Sequence, residues 1–200
     1  MAIVSKPDIR RAILDNTRKL LVQHGITHLS IRMIAREANC SVGTIYFYFE
    51  SKDQLIHALI EEGFEKLIAL QEARLAEPAA DPVERIRTLC RTYIRFGLEN
   101  PEYYEIMFML KPERMARYPA EKYRKARRSI EVFSEVLAGA HAAGLMAVSE
   151  PYLQAHIIWS FMHGIVSLLQ VKRIDRRIDD TDLIESAIDR IVDGQRVVSG

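Results

Sequence analysis

A short segment near the N-terminus holds side chains that are suited to binding a nucleic acid. Gly43 and Thr44 stand near the start of a short helical pattern, and Tyr46, Phe47 and Tyr48 follow within one turn. Small residues at a helix N-terminus let the backbone approach phosphates, which the helix dipole attracts. Tyrosine hydroxyls donate hydrogen bonds to phosphate oxygens, and a threonine side chain meets base edges. These residue types predict a surface that contacts DNA.

The apolar residues around this surface have the spacing of two packed helices. Ile34 and Ala35 share one face of a first helix, and Ile45 and Phe49 share the inner face of a second. Asn39 between them tolerates the left-handed backbone that ends a helix. This layout is that of a helix-turn-helix, whose second helix enters the major groove. An ordinary helical hairpin has the same spacing, but four successive aromatics cannot all face one core, which favours the DNA-binding interpretation.

Other kinds of chemistry find little support in the sequence. The two cysteines, Cys40 and Cys90, form no CxxC pair, and the six histidines show no metal spacing. A Glu-x-x-His pair, an HExxH motif, a glycine-rich phosphate loop and a nucleophile elbow are all missing from the sequence. We therefore expect no catalytic residue, no metal and no cofactor.

The elements that must position the DNA-binding surface are predicted to be helices throughout. Apolar residues recur with a period of 3.6, and no alternating strand segment stands between turn signals. Gly25 is expected to end the first helix, and the expected N-caps are Ser30, Ser41, Ser51 and Thr181. The later helices are predicted at about 52–76, 82–99, 101–110, 120–143, 151–171 and 181 onward, which gives an all-α fold.

The charge distribution favours an anionic partner at the N-terminus. Residues 1–52 carry eight Lys and Arg against four Asp and Glu, whereas residues 53–200 carry twenty against twenty-three. The uncharged stretch 151–171 contains six polar residues, among them His156 and His163, so we do not expect it to span a membrane. The absence of an apolar leader and the cysteine usage favour the cytoplasm.

Residues 10–66 resemble the N-terminal domain of TetR-type (TetR/AcrR) transcriptional regulators. The similarity rests on His24-Gly25, Ser30 before Ile34-Ala35, Ser41-Val42-Gly43, Thr44-Ile45-Tyr46, Tyr48-Phe49 and Ser51-Lys52-Asp53-Gln54-Leu55. The sequence departs from the family pattern at Asn39-Cys40 and at Glu50, an acid beside the DNA-binding face. The C-terminal half is more loosely similar, through Asn100-Pro101-Glu102-Tyr103-Tyr104 and through Trp159 followed by His163-Gly164.

The resemblance implies a homodimer with two domains in each subunit. We expect an N-terminal three-helix helix-turn-helix domain at 1–52 and a larger helical ligand-binding and dimerisation domain at 53–200. Carried over position by position, the DNA contacts it implies are Ser30, Arg32, Val42, Gly43, Thr44, Tyr46, Tyr48 and Lys52.

The helix predicted at 151–171 is apolar nearly all round, which is typical of a helix that is buried on two sides. With the last helix it is expected to form the dimer interface, with Ile165 and Ile188 on the apolar faces. A monomer that buries this helix centrally is the alternative. Candidate residues for an effector pocket, each of which could instead be packed core, are Tyr93, Phe96, Tyr104, Met107, Phe108, Phe133, Trp159, Met162 and His163.

These observations predict a ligand-responsive transcriptional regulator. A repressor is the simplest form, because no acidic or aromatic-rich tail suggests an activation segment. It would bind a palindromic operator on double-stranded DNA as a homodimer and be released by a small hydrophobic effector. The alternatives are a helical enzyme and a helical adaptor without DNA binding, and the adaptor would present a polar second helix.

Overall fold

The computed structural model describes residues 6–77, 81–109 and 123–194. Within these ranges the chain forms nine α-helices and one π-helical turn and no β-strand, which confirms the predicted all-α fold. The elements in chain order are α1 (Lys6–His28), α2 (Ile31–Glu37), α3 (Val42–Tyr48), α4 (Lys52–Ala76), α5 (Pro82–Glu99), α6 (Pro101–Tyr104), the π-helical turn (Glu105–Met109), α7 (Tyr123–Ala142), α8 (Pro151–Gln170) and α9 (Asp180–Asp193).

Gly25 and Thr181 were predicted to limit the first and the last helix. Gly25 leaves the helical path with φ +69° and ψ 167°, which confirms that the first helical stretch ends there, and a short further stretch completes α1 to His28. The predicted cap Thr181 is wrong, because the Asp179 carboxylate accepts hydrogen bonds from the backbone N–H groups of Thr181 and Asp182 at 2.9 and 3.1 Å. An aspartate two residues earlier therefore starts the last helix.

The helix predicted at 101–110 is two elements. α6 makes one α-helical turn and then widens into the π-helical turn, and Leu110 lies outside the described residues. π-helical turns inside helices are often found at functional sites. Positions 120–122 of the next predicted helix also lie outside the described residues.

The described residues pack as two compact units. The first comprises residues 6–64, 101–109 and 123, and the second comprises residues 65–77, 81–100 and 124–194. The division falls after Phe64, inside α4, whereas the predicted boundary at residue 52 lies at the first residue of that helix. The segment from α6 to the π-helical turn belongs to the first unit, where it packs on α1.

The first unit is built around one apolar cluster shared by α1, α2, α3 and α4. Residue Ile106 of the π-helical turn joins this cluster, which links residues far apart in the sequence. Its fully buried members include Ile13, Ile34, Ile45, Leu55, Ile56 and Leu59. Burial of this cluster fixes the angle between the helices of the helix-turn-helix.

In the second unit α5 packs against both α8 and α9. Two arginines of α5 tie it to α9: Arg87 pairs with Asp189 and Asp193, and Arg91 with Glu185. The Arg91 guanidinium lowers the pKa of the Glu185 carboxyl by hydrogen bonding. α5 therefore forms the centre of this unit.

Candidate nucleic-acid interface

The helix-turn-helix is held by two serine caps. Ser30 Oγ accepts a hydrogen bond from the Met33 backbone N–H at 3.2 Å, and Ser41 Oγ accepts one from that of Thr44 at 2.9 Å. Asn39 takes the left-handed conformation with φ +49° in the turn between α2 and α3. All three local predictions are confirmed, and they set where α3 begins.

α3 has one buried face and one exposed face. Ile45 within it and Phe49 at its C-cap lie in the core. Tyr46 is 51% exposed and Phe47 is 73% exposed, whereas Tyr48 is half-buried against the core. A helix of seven residues thus turns two large aromatic rings outward.

The predicted DNA contacts are all placed in the first unit. Ser30, Arg32, Val42 and Gly43 are exposed, so they are accessible to a partner. Thr44 is half-buried, and its hydroxyl is hydrogen-bonded to Ser41 Oγ at 2.8 Å. The Thr44 side chain therefore also supports the N-cap of α3.

Lys52 has a structural role that the sequence did not indicate. Its Nζ donates hydrogen bonds to the carbonyl oxygens of Ile26 and Leu29, each at 3.2 Å. An ammonium group has three donors, so one N–H remains beyond these two. The side chain therefore joins the start of α4 to the segment that follows the Gly25 kink.

Phe47 is the candidate that sequence reasoning left out of the predicted contacts. The run of four consecutive aromatic residues was the only feature of the sequence that pointed to Phe47. The two tyrosines were preferred as DNA contacts because their hydroxyls can hydrogen-bond to phosphate. Its exposure places it beside Tyr46 on the outer side of α3.

A polar network, which we name the Tyr103 network, joins α1, α4 and α6. Arg18 donates to Glu102 at 2.8 Å and to the Tyr103 hydroxyl at 2.7 Å, and that hydroxyl donates to Glu62. Arg11 donates to both Glu62 oxygens at 2.9 Å. Burial raises the pKa of Tyr103, and the neighbouring Glu62 carboxylate raises it further, so the phenol keeps its proton at neutral pH.

The predicted effector residues fall into two groups. In the second unit Tyr93, Phe96, Phe133 and Met162 are fully buried. Trp159, half-buried in the same unit, donates its indole N–H to the Tyr93 hydroxyl at 2.9 Å.

His163 completes the aromatic part of this group. Its ring lies 5.4 Å from that of Trp159. Burial lowers the pKa of His163, so the imidazole is neutral at pH 7.

The other group lies in the first unit. Tyr104 is buried, and the half-buried Phe108 packs against the rings of Tyr104 and Phe64 at 4.9 and 5.6 Å. Met107 lies beside Gly63. Three open cavities of the second unit, lined by Leu75 and Val136, by Ile157 and Phe161, and by Leu169 and Ile174, contain none of the predicted effector residues.

An exposed apolar stripe runs along α8. Leu153, Ile157, Phe161 and Leu168 recur at helical spacing, and Ile157 and Phe161 line a groove of about 370 Å³ together with Ile191 of α9. We name these five residues the α8–α9 surface. Contiguous apolar patches of this kind are unusual on a monomer.

Ile188 does not belong to this surface, which corrects the prediction made for it. The side chain is fully buried inside its own protomer, because α9 turns that face toward the core of the second unit. Ile165 is half-buried.

The part of the chain that the structure describes offers neither a metal site nor a membrane-spanning helix. No group of three or more His, Cys, Asp or Glu residues there could hold a metal ion. No helix among these residues combines the length and the apolar character that crossing a bilayer requires. Burial raises the pKa of the Cys90 thiol to about 12, which makes it unreactive.

Two family profiles match the chain. Residues 13–59 match the profile described as bacterial regulatory proteins, tetR family. Residues 86–192 match the profile described as tetracyclin repressor-like, C-terminal domain. The first covers the helix-turn-helix, and the second covers more than half of the 200 residues.

Curated proteins that resemble this chain are also transcriptional regulators. The transcriptional repressor KstR of Rhodococcus jostii is 30% identical over 98 residues, which are 49% of this chain and 45% of KstR. The chain thus spans about half the length of the curated relatives it matches.

Two solved structures show the same fold over nearly the whole chain. A TetR family transcription regulator from Marinobacter aquaeolei VT8 has a TM-score of 0.76 at 23% identity, over 96% of this chain and 97% of that one. FadR of Bacillus subtilis, solved with stearoyl-CoA, has a TM-score of 0.78 at 16% identity, over 92% and 98%. On the strength of the two profile matches, the chain belongs to the TetR family of bacterial transcription regulators.

Proposed function

We propose that this regulator is a homodimeric repressor that reads a palindromic operator through α3 and is released by a small hydrophobic effector in the cytoplasm. The observation that carries the proposal is the outer side of α3. Tyr46 and Phe47 are exposed there beside Gly43, on a helix whose opposite face is locked into the core. Such a surface is costly to leave in water unless a partner covers it.

Assembly into a dimer is supported by the α8–α9 surface. Phe161 is 59% exposed and Leu153 is 57% exposed on a helix whose other face is fully buried. Two copies that meet through this surface would bury its apolar rings, and an isologous contact gives the two-fold symmetry that a palindrome requires.

The interior of the second unit supports a hydrophobic effector. Ligand sites are mostly apolar and contain a few polar groups that fix orientation. The Tyr93 hydroxyl, the Trp159 indole and the neutral His163 imidazole are such groups, set among buried aromatic and methionine side chains. The repressor name of KstR and the stearoyl-CoA bound to FadR are in keeping with a repressor and an apolar effector.

Release follows from geometry. The two α3 helices of a dimer must lie about 34–36 Å apart to enter successive major grooves. α4 contributes residues to both units. A movement of α4 on effector binding would therefore change the position of α3. An effector that binds better when this spacing is wrong shifts the population away from DNA.

Selection of bound duplexes from a random pool tests the proposal. The full chain is mixed with random double-stranded DNA, and the recovered duplexes are sequenced after several rounds. We expect a two-fold symmetric site with half-sites about one helical turn, or a multiple of it, apart. A pool without enrichment would overturn the proposed function.

A further inference from the structure

Phe47 is the most exposed large apolar side chain that the structure describes, at 73%. Phe49 fills the core, Tyr48 packs against the core, and Tyr46 carries a hydroxyl that can donate or accept a hydrogen bond. Phe47 has no polar atom and is not part of the apolar cluster. At 73% exposure its ring is accessible to a partner that approaches the outer side of α3.

The ring stands on the same side of α3 as Gly43 and Thr44. Gly43 and Thr44 precede it by four and three residues, so the three share one face of the helix. The Phe47 ring meets the Tyr48 ring edge to face at a centroid distance of 5.1 Å and an interplanar angle of 89°. Because Tyr48 is itself packed on the core, it supports the Phe47 ring and reduces the entropy lost when a partner binds.

The major groove offers one apolar group to such a ring. Base edges there present hydrogen-bond donors and acceptors, except for the C5-methyl group of thymine. A phenyl ring placed against the polar edges would desolvate them without replacing their hydrogen bonds, which is unfavourable. Contact with a thymine methyl instead buries apolar surface on both partners.

We infer that Phe47 is a specificity-determining residue that selects a thymine in each half-site through its C5-methyl group. The inference rests on the proposed function, since it requires α3 in the major groove. It assigns base selection to a side chain without a hydrogen-bonding atom, beside the polar contacts expected from Thr44 and Tyr46.

The test begins with two selections from random double-stranded DNA, one with the wild-type protein and one with Phe47→Ala. A duplex from the wild-type selection then serves for affinity measurements. We expect a thymine in each wild-type half-site whose enrichment disappears in the Phe47→Ala selection and persists in part with Phe47→Leu. Replacing that thymine by deoxyuridine removes only the methyl group. It should weaken wild-type binding about fourfold for each methyl removed, the size expected for one buried methyl group, and should leave the Phe47→Ala affinity unchanged.

Controls separate this contact from general effects. Leu70→Ala truncates another exposed apolar side chain, on α4, and should retain both the thymine preference and the deoxyuridine penalty. If Phe47→Ala folds poorly, Phe47→Leu takes its place, and its deoxyuridine penalty should be smaller than that of the wild-type protein. Equal affinity of the wild-type protein for thymine and deoxyuridine at every selected position would overturn the inference while DNA binding stands. Absence of any selected duplex would overturn the proposed function as well.

Discussion

At the scale of single residues, Thr44 has two roles that substitutions can separate. Its hydroxyl lies against Ser41 in the N-cap of α3, and its methyl group belongs to the half of the helix expected to meet bases. Thr44→Ala should weaken operator binding by about 1–3 kcal/mol and relax the preference at one position of each half-site. Thr44→Ser restores the cap without the methyl group and should recover folding stability but not base preference. Unchanged affinity and specificity of Thr44→Ala at fixed salt would remove Thr44 from the interface.

Lys52 is expected to affect both folding and DNA binding. Lys52→Ala removes two hydrogen bonds from a charged donor to the Ile26 and Leu29 carbonyls, so the free energy of unfolding should fall by about 1–3 kcal/mol. If its remaining donor meets a phosphate, specific and non-specific binding weaken equally, and the slope of log affinity against log salt falls by about one.

Lys172→Ala is the matched control for Lys52, because it removes an exposed lysine of the second unit. It should change neither the thermal unfolding nor the salt slope. A loss of base preference in Lys52→Ala at unchanged stability would contradict both roles that we assign to Lys52.

At the scale of elements, the contact between α4 and the segment 101–109 fixes the first unit. An added Cβ at Gly63 would overlap the Met107 sulfur and lie 2.8 Å from Met107 Cγ. Gly63→Ala should therefore destabilise the protein, because displacing Met107 against the Tyr103 ring, whose Cδ1 lies 3.3 Å from the added Cβ, outweighs the about 0.5–1 kcal/mol that alanine gains over glycine in a helix. Gly139→Ala in α7 has open space around its Cβ and should instead stabilise by about 0.5–1 kcal/mol. Thermal unfolding of the two variants should shift in opposite directions, and equal shifts would contradict the close packing at Gly63.

Sequence reasoning succeeded where local signals decide the structure. Asp81-Pro82 and Asn100-Pro101 fix the two ends of α5, and Ser41 fixes the start of α3, because caps and prolines act within a few residues. The Tyr103 network could not be predicted in this way. It joins Arg18, Glu62 and Tyr103, which are brought together only when α1, α4 and α6 pack.

At the scale of the whole molecule, the dimer is expected to depend on the α8–α9 surface. Periodicity correctly gave α9 an apolar face, but it could not tell whether that face meets its own protomer or a second one, which is why Ile188 was misplaced. Phe161→Asp should yield folded monomers in sedimentation, because a charge placed in an apolar interface loses its hydration.

Two variants complete this measurement. Ile188→Asp buries the same charge inside the protomer and should unfold it instead of producing monomers. Leu145→Asp, at an exposed position outside the α8–α9 surface, should remain dimeric. A Phe161→Asp protein that is still a dimer of wild-type affinity would place the interface elsewhere.

The spacing of the two half-sites decides whether two copies of α3 read DNA as a rigidly spaced pair. The affinity of the full chain is measured for its selected duplex and for the same duplex with about five base pairs, half a helical turn, inserted between the half-sites. We predict that the insertion reduces binding to the level of a single half-site, because the second recognition surface then faces away from its groove. Equal affinity for the two duplexes would show that the two copies of α3 do not act as a spaced pair.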